Sequence, residues 1–250
     1  MDAQIEKVNV VVVDADSWDG TREVARRHDA TLLDEPTSKV KGSRRAVALN
    51  EGLRFSDAHQ VVFLDADTVA SPLWSRNVRR WLEWRPGEVA GVSGGCMPSD
   101  TAQGRIMRLG SPNHAKQFEK PTLLTSLPGY NSAYWRTNID MAGGFDEELG
   151  GCEDFWLNKK IRETGFKLLG VPHCSVVHRE RATLQSFSRQ MRGYGWSRGR
   201  LLKIKGHFTP IHALPTLLLP VSWAIPDAWW RTFFTQWSIG YLEGLLEPTD

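Results

Sequence analysis

The sequence predicts an α/β fold: a mostly parallel central sheet flanked by helices, followed by an aromatic and apolar carboxyl-terminal appendage. Three observations lead there. Residues 8–14 and 61–68 are apolar runs that end in closely spaced acids, Asp14 and Asp16 in the first, Asp65 and Asp67 in the second. Such runs without a polar face read as buried strands of a parallel sheet. Between and after them strand-like and helix-like segments alternate, the pattern of a parallel sheet with crossover helices. After residue 207 the composition changes, with Phe208 opening a stretch to Pro226 that holds no Asp, Glu, Lys or Arg.

Taken in order, residues 8–14 form the first strand, and Asp19 or Thr21 starts a helix through about His28. A short strand covers 31–34. A helix covers 42–54, with Ala46, Val47, Leu49 and Leu53 mostly on one side. Residues 61–64 are a second strong strand. Ser71 followed by Pro72 opens a helix, Pro being tolerated in the first helical position. It runs to about Trp84, where Pro86 and Gly87 end it. Strands at 89–93 and 130–136 flank a long polar stretch, 97–129, rich in Gly, Pro and Ser. Loops of that length are usually functional or disordered. A helix at 153–164 is stopped by Gly165, and short strands follow at 167–171 and 175–178. From Thr183 a basic helical segment carries Gly193, Gly195 and Gly199. These elements suggest a body over 1–180 and an appendage over 181–250.

With 250 residues the chain has room for one large domain or a domain plus an appendage. A net charge of +2 gives no bulk attraction to nucleic acid, so no nucleic-acid partner is expected. Cys96, Cys152 and Cys174 are odd in number and lack metal-ligand spacing, which points to a reducing, cytoplasmic setting. No amino-terminal signal peptide is visible. In the appendage, Pro210, Pro215, Pro220 and Pro226 would break a spanning helix. Trp223, Trp229, Trp230, Phe233, Phe234, Trp237 and Tyr241 suit a membrane–water interface at the inner face, a cap on the core or a dimer contact.

Ligands of open α/β sheets bind beyond the carboxyl ends of the strands. Asp65 and Asp67 are therefore delivered where a nucleotide would sit, and a hard divalent cation completed by phosphate oxygens suits them. Asp-x-Asp-x-Thr after an apolar strand also opens haloacid-dehalogenase-like phosphatases, with Asp65 as nucleophile and Asp67 beside it. The remaining motifs favour another family. Val13-Asp14-Ala15-Asp16-Ser17-Trp18-Asp19-Gly20-Thr21 resembles the "VDDGSTDGT" signature of family 2 glycosyltransferases with the GT-A (Rossmann-like) fold. Leu64-Asp65-Ala66-Asp67 resembles their metal-binding Asp-x-Asp. Gly143-Gly144-Phe145-Asp146-Glu147 with Gly151-Cys152-Glu153-Asp154 resembles their "GGFDE…G-ED" segment, and Val177-His178 a strand-end His. Arg189-Gln190, Tyr194-Gly195 and Arg198-Gly199-Arg200 are similar to the segment that follows in membrane-associated bacterial members.

The resemblance implies transfer of a hexosyl group, with inversion, from a nucleotide-diphosphate sugar to a glycan, lipid-linked or protein acceptor in glycan biosynthesis. A UDP-sugar is the expected donor and Mn2+ or Mg2+ the expected metal. Asp67 and His178 would hold the metal. Asp14, Asp16, Lys41, Arg44 and Asp65 would face the donor. Asp154 would act as base with Glu153 positioning acceptor or pyrophosphate, and Gln190, Arg192 and Trp196 would meet the acceptor. Ala15 and Asp16 depart from the signature. The family's usual first strand and helix, an "SVIIPxYN"-like segment, are not found in the sequence. Their absence leaves a second reading, a non-catalytic sugar-nucleotide-binding relative. It also raises the expectation of a sheet that closes differently, or of a second copy or another chain supplying the strand.

Overall fold

A computed structural model describes residue 4 and residues 7–37, 44–97, 101, 104–106, 117–179 and 183–248. Lys41 and most of 97–116 lie outside the described residues. Strand β1 is Val11–Asp14 and β2 is Thr31–Asp34, joined by helix α1, Thr21–Arg27. The two strands pair in parallel with Asp14 beside Asp34. Helix α2, Arg44–Phe55, leads to β3, Gln60–Leu64. After the acidic turn come β4, Thr68–Ala70, and α3, Trp74–Leu82. Strand β5 is Val89–Ser93, β6 is Thr122–Leu124 and β7 is Asn131–Trp135. Helices α4, Arg136–Met141, and α5, Glu153–Glu163, precede β8, Lys167–Gly170, and β9, Val176–His178.

The five-stranded sheet has the order β3-β7-β5-β8-β6. Strands β3, β5 and β8 run in one direction, and β7 and β6 run against them. The central sheet flanked by helices is as expected. Its mixed character comes from β7, inserted antiparallel between β3 and β5, and from β6, antiparallel at the far edge. Expected to be buried, β3 is half-buried along its whole length, because it is the edge strand of this sheet. Among the described residues β1 and β2 form their own ladder, without a rung to β3. Three short elements of the body escaped the sequence: β4, β6 and α4 are too brief for a periodic signal.

Two apolar clusters cover the faces of the sheet. One gathers Leu53, Phe118, Leu127, Tyr134, Phe145, Leu157 and Ile161. The other is built on Trp74, which is fully buried, with Val92, Tyr130 and Cys174. The Trp74 indole donates to Asn131 Oδ1 at 3.2 Å and to the Cys174 carbonyl at 3.0 Å, which fixes the start of α3 against the ends of β7 and β9. That helix begins at Trp74, not Ser71, because Ser71 and Pro72 form the turn before it.

The carboxyl-terminal quarter is helical. Helix α6, Leu184–Lys205, opens on a Thr183–Ser186 capping box and closes at Gly206, which has φ 61°. Helices α7, Pro210–Leu217, and α8, Leu219–Ser222, are short, and α9, Ala228–Leu246, returns along α6. A Cβ on Gly195 or Gly199 would stand 2.1 Å from the carbonyl oxygens of Trp237 and Tyr241. Gly240 and Gly244 face Arg192 and Trp196 as tightly, so the two backbones touch. Lys205 ties α6 to the body through Asp146 at 2.7 Å. No described helix is long and apolar enough to cross a membrane.

Candidate active site

Asp65 ends the β3 segment and Asp67 follows in the turn to β4. The Asp65 carbonyl accepts Thr68 N–H at 3.0 Å and Thr68 Oγ1 at 2.7 Å, which closes that turn. β4 pairs antiparallel with β9, placing Thr68 opposite His178. His178 Nε2 therefore lies 3.3 Å from Asp67 Oδ1 and 3.9 Å from Asp65 Oδ2. The Tyr130 ring lies tilted beside the imidazole at a centroid distance of 5.0 Å. One ligand atom from each of Asp65, Asp67 and His178 falls within 4.8 Å of the others. Two carboxylates and an imidazole, all partly exposed, are a donor set that a divalent ion such as Mn2+ accepts.

The second acidic pair sits at the start of α5. Gly150, Gly151 and Cys152 all have positive φ, and a Cβ on Gly151 would stand 2.1 Å from Ser197 Oγ. The chain is thus bent tightly under α6, with Cys152 in the left-handed region as the helix N-cap. A non-glycine residue held there stores strain, which is common where a functional side chain must be aimed. The bend delivers Glu153 and Asp154 to the site end of the sheet, where a helix amino terminus also favours their charge. Asp154 accepts the Gly129 N–H at 3.0 Å and the Phe155 N–H at 2.6 Å. Glu153 is buried, and desolvation together with the neighbouring Asp154 charge pushes its carboxyl up to about 7.

Arg45 joins the two clusters. Its Nη2 lies 2.7 Å from Asp65 Oδ1 and its Nε 3.2 Å from Glu153 Oε1. A Cβ at residue 129 would fall 2.7 Å from Arg45 Nη2 and 3.2 Å from Asp154 Oδ2, so Gly129 makes room for both. Tyr194 lies within electrostatic reach of Arg45, Asp65 and Asp154, and its hydroxyl accepts from Gln190 Nε2 at 3.2 Å.

Asp65, Asp67, His178, Glu153 and Asp154 are therefore brought together, and Gln190 joins them through Tyr194. Other expected residues stand elsewhere. Arg44 forms a bidentate pair with Glu35 at 3.1 and 2.7 Å, and the cation that enters the cluster is its neighbour Arg45. Adjacent helix positions diverge by about 100° around the axis, and Arg45 shares its side with Leu49, one turn on. The Ala46, Leu49, Leu53 stripe was the available signal for it. Arg192 and Trp196 face α9, where they bond Glu243 and Glu247. They sit on the other side of α6 from Gln190 and Tyr194, away from the acidic cluster. Asp14 is buried at the end of β1 and accepts Ser17 N–H at 2.9 Å and Arg22 Nη1 at 3.0 Å. The Ser17 bonds, then Arg22, hold its carboxyl below the usual range. Asp16 is exposed, with φ 59°.

The solved structures that the chain resembles have the same fold. The mannosyltransferase PcManGT from Pyrobaculum calidifontis, in complex with GDP-Man and Mn2+, superposes with a TM-score of 0.64 at 20% identity, over 98% of this chain and 80% of that one. S. aureus TarS 1-349 in complex with UDP superposes with a TM-score of 0.52 at 14% identity, over 96% of this chain and 84% of that one. No curated protein sequence matches the chain. The model of the glycosyl transferase family 2 matches residues 2–140, which include β1, β3, Asp65, Asp67 and Arg45. That match sets the phosphatase alternative aside, and beyond its end Glu153, Asp154 and His178 complete the same cluster. With more than half of its length matched, the chain belongs to glycosyl transferase family 2.

Proposed function

We propose that the chain transfers a hexosyl group, with inversion, from a nucleotide-diphosphate sugar to an acceptor hydroxyl. The observation that carries this reading is the Arg45 bridge, which sets the Asp65, Asp67, His178 trio beside the Glu153, Asp154 pair. Asp67 and His178 would hold Mn2+ or Mg2+ with Asp65 beside them, consistent with the Mn2+ in the Pyrobaculum complex. When bound, the ion supplies Lewis-acid stabilisation of charge on the departing diphosphate.

The chain's own groups do the rest. Asp154 takes the proton of the acceptor hydroxyl as its oxygen bonds to the anomeric carbon and the carbon–phosphate oxygen bond breaks. The nucleoside diphosphate leaves with that bond's electron pair. A single displacement inverts the anomeric centre. The Gly129 amide fixes the Asp154 carboxylate for this task. Arg45 offsets the mutual repulsion of Asp65, Glu153 and Asp154, and its guanidinium suits a diphosphate oxygen. Asp14, at the end of β1, and Asp16, just beyond it, would approach the nucleoside, and the neighbours' ligands make UDP-sugars and GDP-sugars the donors to try.

The test is titration with Mn2+ and a panel of nucleotide sugars, followed by assay of free nucleoside diphosphate with and without acceptors. Metal-dependent binding together with acceptor-dependent release supports transfer. Binding without release under every acceptor supports the non-catalytic relative instead.

A further inference from the structure

Resting on the transferase reading above, we propose that the acceptor hydroxyl is carried on a lipid, and that residues 208–223 seat the protein on the lipid surface that presents it. The segment spans α7 and α8 and contains no Asp, Glu, Lys or Arg. Phe208, Ile211, Leu214, Leu217, Val221 and Trp223 are exposed on it, Leu217 to 73% and Trp223 to 68%. Clustered exposure of this kind is unusual on a surface that meets only water. The segment's one titratable side chain is His212. It packs on Phe155 and Trp237, with Arg198 and His207 as the charged and titratable groups facing it. Burial first, then the Arg198 charge, hold His212 down to about 3. The face therefore stays neutral throughout the physiological range.

Two features favour lipid over a protein partner. Trp223 stands exposed on the face, the residue type that settles at the boundary between headgroups and acyl chains. The short proline-interrupted helices suit a segment that lies in the interface without crossing it.

The face also rests on the helix that carries Asp154. Phe155 directly follows Asp154 on α5, and its ring stands 5.3 Å from His207 and 6.4 Å from His212. His212 is held in turn by Trp237 Nε1, which donates to its carbonyl at 2.9 Å. The helical turn that carries Asp154 is thus the one on which the apolar segment rests. The proposed route brings the acceptor hydroxyl to Asp154 from that side. An acceptor dissolved in bulk water would give these exposed apolar side chains no task.

The experiment uses the full chain, phosphatidylcholine vesicles with no added sugar lipid, and the double variant Leu217→Glu, Val221→Glu. Both positions are exposed and outside the transfer site. Flotation measures vesicle binding, and light scattering measures mass. Binding of UDP and GDP with Mn2+ is measured on the same preparations and reports whether the variant is folded. The wild-type chain should float with the vesicles and the variant at least about tenfold less, with nucleotide binding equal in both. A wild-type chain that stays in the soluble fraction, or a variant that floats as well as wild type, overturns the proposal. So does a wild-type dimer that the variant turns into a monomer, since a second copy would then cover the face. Vesicle binding by a chain that binds neither nucleotide overturns the acceptor half, and does so through the transferase reading rather than through the seat.

Discussion

Arg45 Nε stands 3.2 Å from Glu153 Oε1, and this contact couples the helix after β2 to the helix after the Gly-Gly-Phe-Asp segment. Through its other arm at Asp65 the same guanidinium touches the proposed metal end. Replacing it should be felt at both ends. Arg45→Met should cost about 1–2 kcal/mol of stability, less than a fully buried pair because the Arg45 side chain is 42% exposed. It should also weaken nucleotide-diphosphate binding, with Arg45→Lys restoring part of it. Calorimetric titration of the three proteins with UDP and GDP is the measurement. Equal affinities would remove Arg45 from the donor site.

Asp154→Asn should leave the fold and donor binding in place, since the amide oxygen can still accept the Gly129 N–H. Transfer should fall by about 10²- to 10⁴-fold, the usual worth of a positioned general base. Steady-state release of nucleoside diphosphate reads the change. Turnover at the wild-type rate would assign the proton to another group, and Glu153 would be next in line.

Asp67→Ala and His178→Ala should each lower Mn2+ affinity at least about tenfold, since each removes one of few protein donors. Electron paramagnetic resonance of free Mn2+ measures this without any turnover. Retention of affinity in both variants would move the ion elsewhere.

Glu153 gives a pH dependence whose sign is fixed. Its folded carboxyl is raised from 4.5 to about 7 by burial and by Asp154. Between those values the native chain holds a proton that the unfolded chain has released. This stabilisation is complete below the unfolded value and is lost as pH climbs through the folded one. Denaturant melts of wild type should therefore weaken from pH 5 to pH 8 by an amount on the order of 3 kcal/mol at most. Glu153→Gln should flatten that slope, and an unchanged slope would show that other groups dominate it.

Gly199→Val places a branched side chain where even a Cβ would meet the Tyr241 carbonyl at 2.1 Å. Forcing α6 and α9 apart should cost about 1–3 kcal/mol or more. Gly193→Ala is the control, because nothing lies within 4 Å of its Cβ position and a helical Ala is favoured over Gly. Thermal melts of the pair should move in opposite directions.

The sequence by itself determined the α/β class, the two acidic strand ends and the helix beginning at Glu153. These are written in local order, as apolar runs, turn residues and carboxylates a few positions apart. It also carried the family resemblance, since Asp65, Asp67, Glu153, Asp154 and His178 sit in recognisable short motifs. Only the tertiary structure decided that Arg45 and not Arg44 enters the cluster, because one helical step turns a side chain away from the site. The same rotation put Gln190 toward the site through Tyr194 and turned Arg192 and Trp196 onto α9. The antiparallel insertion of β7 between β3 and β5, and the edge position of β3, which pairs with no other described strand, are likewise matters of which strands meet across long stretches of chain. Local spacing fixes what a segment can be. Which of its faces is used depends on what folds against it.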